Sequence, residues 1–154
     1  MKKIFGMVLF CIITIGATAQ SIDWSRAPGS NPSNINPRLA AALILLGQQT
    51  NTRIIPNQGY RTYQEQYEIG ERMIRENPGF YRDAGGTVRN SQGQARVAAP
   101  GSPLSLHETG NAVDINRDGV ANTYYTEAEL NRAGLTADPS ITRAVNEPWH
   151  VTLK

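Results

Sequence analysis

The chain of 154 residues has one cysteine, Cys11, and two histidines, His107 and His150. A lone cysteine excludes an internal disulfide framework, and the absence of any C-x-x-C excludes a cysteine-ligated zinc finger. No internal repeat and no low-complexity tract is present, so solenoid and linker architectures drop out. Long apolar runs are also missing. The longest, Ile4 to Gly16, falls short of the roughly 20 residues that a membrane-spanning helix needs. Lys2 and Lys3 precede this run and Ala17-Thr18-Ala19 follows it. That order predicts a secretory signal peptide over residues 1–19, with the mature chain starting near Gln20. An uncleaved N-terminal anchor is the alternative. Cys11 follows Phe10 deep inside the run, which argues against lipidation.

Charge of one sign is lacking too. The formal net charge of +2 rests on Lys2 and Lys3 alone, so signal removal leaves 13 basic against 13 acidic residues. A neutral mature chain loses the electrostatic footprint of a nucleic-acid binder. The expectation is an exported protein, periplasmic or secreted, with no membrane attachment after cleavage. Its core must hold without a disulfide. The remaining ~134 residues suffice for one domain that buries about two-thirds of its surface.

Ser21 to Asn36 is rich in Ser, Asn, Pro and Gly and reads as an extended lead-in. Asn36-Pro37 has the form of an N-cap followed by an N1 proline, and opens a buried helix ending near Gly47. "TRIIP" predicts a strand and "NQGYR" a turn. Thr62 and Glu65 form a capping box, so a second helix runs from Tyr63 to about Glu76, where Asn77-Pro78-Gly79 stops it. Phe80 to Pro103 is loop-rich. Asn111 to Ile115 predicts a strand, and a second capping box, Thr126 with Glu129, a short helix to Ala133. A proline-led helical turn follows Asp138, and Val151 to Leu153 closes the chain as a strand. Helices and strands mix without βαβ regularity, which favours an α+β fold.

Four residues carry candidate chemistry: His107, Asp114, Glu147 and His150. Zinc takes histidine nitrogen and carboxylate oxygen, and a catalytic zinc uses three protein ligands with the fourth position open to water. His107, Asp114 and His150 supply such a set. Glu147 remains unligated, free to take a proton from that water. Each residue alone has an ordinary structural explanation; their combination is the signal. "HETG" begins like H-E-x-x-H, but Asn111 stands where the second histidine belongs, so Glu108 is not expected to be the base. "DINRDG", Asp114 to Gly119, fits the start of a calcium loop. Its twelfth position is Tyr125 where a bidentate glutamate is required, and Asp118-Gly119 fits a plain turn.

These residues resemble a known family. "SLHETGNAVD" is similar to the S-x-H-x-x-G-x-A-x-D signature of zinc D-alanyl-D-alanine carboxypeptidases and L-alanyl-D-glutamate endopeptidases. "EPWH" resembles that family's E-x-W-H, and "GYRTYQEQ" its Gly-Tyr-Arg-Ser-x-x-x-Gln block. The three blocks occur in the right order from Gly59 to His150. The resemblance implies that His107, Asp114 and His150 bind Zn2+, that Glu147 is the catalytic base, and that Arg61 stabilises the polarised carbonyl or holds substrate. A permanently charged, forked guanidinium suits either task. Gln66 and Ser105 match further positions with substrate-side or structural roles. Two departures stand out: Gln58 replaces the small residue common before Gly-Tyr-Arg, and "APGSPLSLH" is about two residues longer than the usual lead to the signature.

The implied fold is α+β, a small antiparallel sheet flanked by helices, of the architecture shared with the Hedgehog signalling domain. The expected domains are a signal over 1–19, a lead-in over 20–36 and a peptidase domain over 37–154. The expected reaction is zinc-dependent hydrolysis of a bond in peptidoglycan stem peptides. Two other readings remain: a non-catalytic wall-binding or structural domain that keeps the fold, and a calcium-dependent secreted module resting on "DINRDG".

Overall fold

A computed structural model of the chain describes residues 22–27, 32–137 and 147–154. The expected signal peptide and the helical turn after Asp138 lie outside these residues. Within the lead-in, short 3-10 turns form at Trp24–Arg26 and Pro32–Asn34 rather than one extended run.

Helix α1 spans Pro37–Thr50. Asn36 caps it by accepting the Arg38 amide, and Pro37 sits at the first position, where a missing N–H costs nothing. The helix runs three residues past Gly47. Thr50 bonds its hydroxyl back to the Leu46 carbonyl at 2.7 Å, and Asn51, in the left-handed region, then ends the helix. Leu39, Leu43 and Leu46 are fully buried on one face. They pack with Ile54, Val113, Ile115, Leu130, Leu135 and Val151 in a single core. Helix α2 spans Tyr63–Glu76 and helix α3 Glu127–Arg132, each opened by the expected capping box.

The core's other wall is a four-stranded antiparallel sheet in the order β1-β5-β7-β6, with β1 Ile54–Gln58, β5 Ala112–Arg117, β6 Leu135–Ala137 and β7 His150–Leu153. Asn57 and Gln58, expected in a turn, continue β1. An irregularity between Pro56 and Gln58 lets the strand accommodate its proline, and Gln58 then pairs with Asp114.

The expected loop between Phe80 and Pro103 also contains strands. β2 Tyr81–Arg82, β3 Val88–Arg89 and β4 Ala95–Val97 form a second antiparallel sheet. Strands of two or three residues are too short to display alternation, and their signal was hidden by the glycine-rich turns between them. β6 was missed for the same reason.

The calcium-loop motif is a turn. Asp118 has φ 51° and Gly119 φ 68°. The Asp118 carboxylate accepts the Arg53 amide at 3.0 Å, while Tyr125 is buried with its hydroxyl 2.9 Å from Thr52. Those side chains are committed to bonds within the fold.

Candidate metal centre

Asp114 on β5 and His150 on β7 are directly paired across the sheet, so their side chains stand side by side on one face. His107 reaches them from the tight loop before β5. Asn111 donates to the Leu106 carbonyl at 2.9 Å and Gly110 to the His107 carbonyl at 3.2 Å, which folds the signature back on itself. Gly110 has φ 69°, and a Cβ there would lie 2.0 Å from the Asn34 carbonyl oxygen. Its own carbonyl accepts the Asn36 amide at 2.9 Å, and the Asn36 and Asn111 side chains bond at 2.8 Å. The signature glycine thus lets the start of α1 press against the metal-site loop.

One ligand atom from each of His107, Asp114 and His150 falls within 4.8 Å of the others. His107 Nε2 lies 3.1 Å from His150 Nδ1 and 3.3 Å from Asp114 Oδ1, and His150 Nδ1 lies 3.0 Å from the same oxygen. His107 Nδ1 donates to the Gly59 carbonyl at 2.8 Å. That bond fixes the tautomer and leaves the Nε2 lone pair facing the other two ligands, an arrangement common among metal-bound histidines. Burial holds His107 below the ordinary imidazole range, against the opposing pull of Asp114, so its neutral, ligating form is favoured. Burial pushes the Asp114 carboxyl up, but its close contacts with the His107 and His150 rings outweigh it and hold it below the ordinary range, so the group is ionised. Two imidazoles and a carboxylate, converging on one point, fit a zinc ion.

Glu147 lies just before β7, where its backbone carbonyl accepts the His150 amide at 3.0 Å. It is half-buried and outside the ligand group, and it lines the same cleft of about 150 Å³ as all three ligands. Burial raises its carboxyl above the ordinary range, helped by the charge of Asp114 and opposed by His150 and Arg61.

Arg61 follows β1 and lies 3.5 Å from Asp114 Oδ2. It donates to Gln66 Oε1 at 3.1 Å and to Gln58 Oε1. Gln66, buried on α2, also donates to the Ala98 carbonyl at 3.1 Å, so its amide is committed on both sides and braces Arg61. Gln58, the departure from the family pattern, is a second brace. Ser105 is buried in the cleft, with no partner for its hydroxyl. Glu108 turns away from the ligand group and accepts the Gly101 amide at 3.1 Å, pinning the lengthened loop.

Sequence reasoning missed the Gly59 carbonyl, which has no side-chain signal. It also passed over Arg96 on β4, which lines the cleft, because the segment read as loop. Trp149 stands inside the EPWH block. It is half-buried, lines the cleft, and sits 6.0 Å from the Tyr124 ring.

No family model matches the chain. Over 104 residues it is 36% identical to a D-alanyl-D-alanine carboxypeptidase of Enterococcus faecalis, a match covering 60% of this chain and 37% of that protein. The chain thus spans well under half the length of this curated relative. The fold matches a crystal structure of a vancomycin-resistance D,D-pentapeptidase, VanY, in complex with Zn(II). That match has a TM-score of 0.50 and 25% identity, and covers 87% of this chain and 79% of that one. The fold is also shared with the LdcB LD-carboxypeptidase, at a TM-score of 0.56 and 20% identity over 88% of this chain and 66% of that one. In sequence the chain is similar to a D-alanyl-D-alanine carboxypeptidase, and in fold to the VanY and LdcB peptidases.

Proposed function

We propose that the protein is an exported zinc metallopeptidase that hydrolyses a peptide bond in bacterial peptidoglycan stem peptides. The reading takes residues 1–19 as a signal, 20–36 as a lead-in and 37–154 as the catalytic domain. Among the described residues no helix is long and apolar enough to cross a membrane. The observation that carries the reading is the pairing of a three-residue ligand group with an unligated, half-buried glutamate in one cleft.

His107, Asp114 and His150 would hold the zinc ion, which acts when bound as a Lewis acid and lowers the pKa of a bound water. The protein's own groups supply the rest. Glu147 in its carboxylate form takes a proton from the attacking water as the oxygen joins the scissile carbonyl carbon. The same carboxyl returns that proton to the amine as the carbon–nitrogen bond breaks. Arg61 is held rigid by Gln58, Gln66 and Asp114, and offers fixed positive charge to the developing oxyanion.

A metal that only stabilised a fold would have no need of Glu147 beside it, which weighs against a purely structural or wall-binding domain. Replacing Glu147 with alanine tests this role. Turnover is expected to disappear while zinc stays bound. Loss of the metal, or retained turnover, would contradict the assignment.

A further inference from the structure

Two donors in the cleft have no acceptor. Arg96 Nε and Ser105 Oγ are both buried without a hydrogen-bond partner, and both residues line the cleft that holds the three ligands and Glu147. Among the described residues Arg96 forms no ion pair, as is also true of Arg26, Arg38, Arg72, Arg75 and Arg132, but of these only Arg96 lines the cleft, whose other arginine, Arg61, is paired with Asp114. Its Nη2 makes a long contact of 3.4 Å to Gln94. A buried donor without a partner has lost its hydration with nothing in return, the more so when charged, so such groups call for an acceptor. Arg61 does not share this condition, since its guanidinium is divided among Gln58, Gln66 and Asp114.

We infer that Arg96 is the anion-holding residue of the cleft, taking a carboxylate of the bound peptide, with Ser105 Oγ as a second donor. The assignment rests on the peptidase reading above and deepens it by naming the group that the substrate must present. A carboxylate matches these two donors because it carries negative charge and about four lone-pair sites, enough for a guanidinium edge and a hydroxyl together. Arg96 stands at an irregularity of β4, between Ala95 and Val97, which pair with Arg89 and Val88 of β3, and the carbonyl of Ala98 just beyond β4 is tied to Gln66 of α2, so the backbone on both sides of it is anchored. A stem peptide offers this chemistry from two sources, its terminal carboxylate or the side-chain carboxylate of an internal glutamate. The first makes the enzyme a carboxypeptidase and the second an endopeptidase.

Binding separates these sources. Isothermal calorimetry would use the zinc-loaded protein carrying Glu147→Gln, so that peptide is not consumed. The titrants are a synthetic stem peptide ending in D-alanyl-D-alanine, its C-terminal amide, and the form with its glutamate side chain amidated. Adding Arg96→Gln is expected to weaken binding of the unmodified peptide at least about tenfold. Arg96→Lys keeps the charge without Nε and should weaken it less. Amidating the carboxylate that Arg96 holds should cost similar affinity and remove the Arg96→Gln effect. Loss of the effect in the C-terminal amide identifies the terminal carboxylate, and loss in the other peptide identifies the internal one. An Arg96→Gln affinity within about twofold of the parent overturns the inference. So does an effect that survives both amidations, or an unmodified peptide that does not bind. Failure of the peptidase reading would show separately, as absence of cleavage by the chain with Glu147 intact.

Discussion

His107 donates from Nδ1 to the carbonyl of Gly59 at 2.8 Å, and this bond decides which of its nitrogens faces Asp114. Gly59 opens the Gly-Tyr-Arg block, so the segment that positions Arg61 also sets the tautomer of a candidate metal ligand. The Arg61 amide closes the link by donating to the His107 carbonyl at 3.2 Å. Because His107, Asp114 and His150 bring their ligand atoms together at one point, His107→Ala and His150→Ala should each weaken zinc binding by more than about 100-fold. Competition with a fluorescent chelator measures this. Near-parental affinity in either variant would remove that residue from the ligand set.

The acid limb of activity should belong to Glu147. Its carboxyl is raised by burial, and only the carboxylate can accept a proton, so kcat/KM should fall as pH drops through a value above the ordinary glutamate range. His107 is shifted the other way, so its neutral form persists below the usual imidazole value. Asp114 stays ionised at still lower pH. Glu147 lies outside the ligand group, so its protonation should stop activity without releasing zinc. Metal content and rate measured in the same buffers check this. Parallel loss of both would assign the limb to the ligands.

Gly110→Ala should be strongly destabilising. The position needs φ 69°, and a Cβ would meet the Asn34 carbonyl oxygen at 2.0 Å, so backbone must move. A loss of at least about 2 kcal/mol in urea unfolding is expected. Zinc affinity should fall with it, because this turn places His107.

The Arg117–Glu129 pair makes a separate prediction about stability. Arg117 donates to Glu129 through two bonds of 3.0 and 2.8 Å, while Glu129 also closes the capping box of α3. Those interactions hold its pKa down to about 2 from an ordinary 4.5. A depressed carboxylate contributes fully above its unfolded value and is lost as pH falls through the folded one. Thermal stability should thus decline between pH 4.5 and about 2, and Glu129→Gln should flatten part of that decline. An unchanged profile in the variant would show that the pair contributes little.

What could be read in advance followed from the length of each signal. Thr62 with Glu65 and Thr126 with Glu129 are local, chemically specific caps, and both helix starts appear where those pairs put them. The ligands sit in long paired motifs, and the structure brings His107, Asp114 and His150 together. The second sheet and β6 were not legible, because strands of two or three residues show no period. Gln58 read as a turn residue, since its strand continues through a proline by way of a bulge. Gly59 contributes a carbonyl that any residue possesses. Arg96 gained significance only when its Nε proved buried without a partner inside the cleft.

The central claim is zinc-dependent cleavage of wall peptides, and digestion followed by mass spectrometry tests it most directly. The mature chain should cut purified stem peptides at one bond, lose that activity in a chelator and regain it with added zinc. Absence of any chelator-sensitive cleavage across a range of wall chemistries would contradict it.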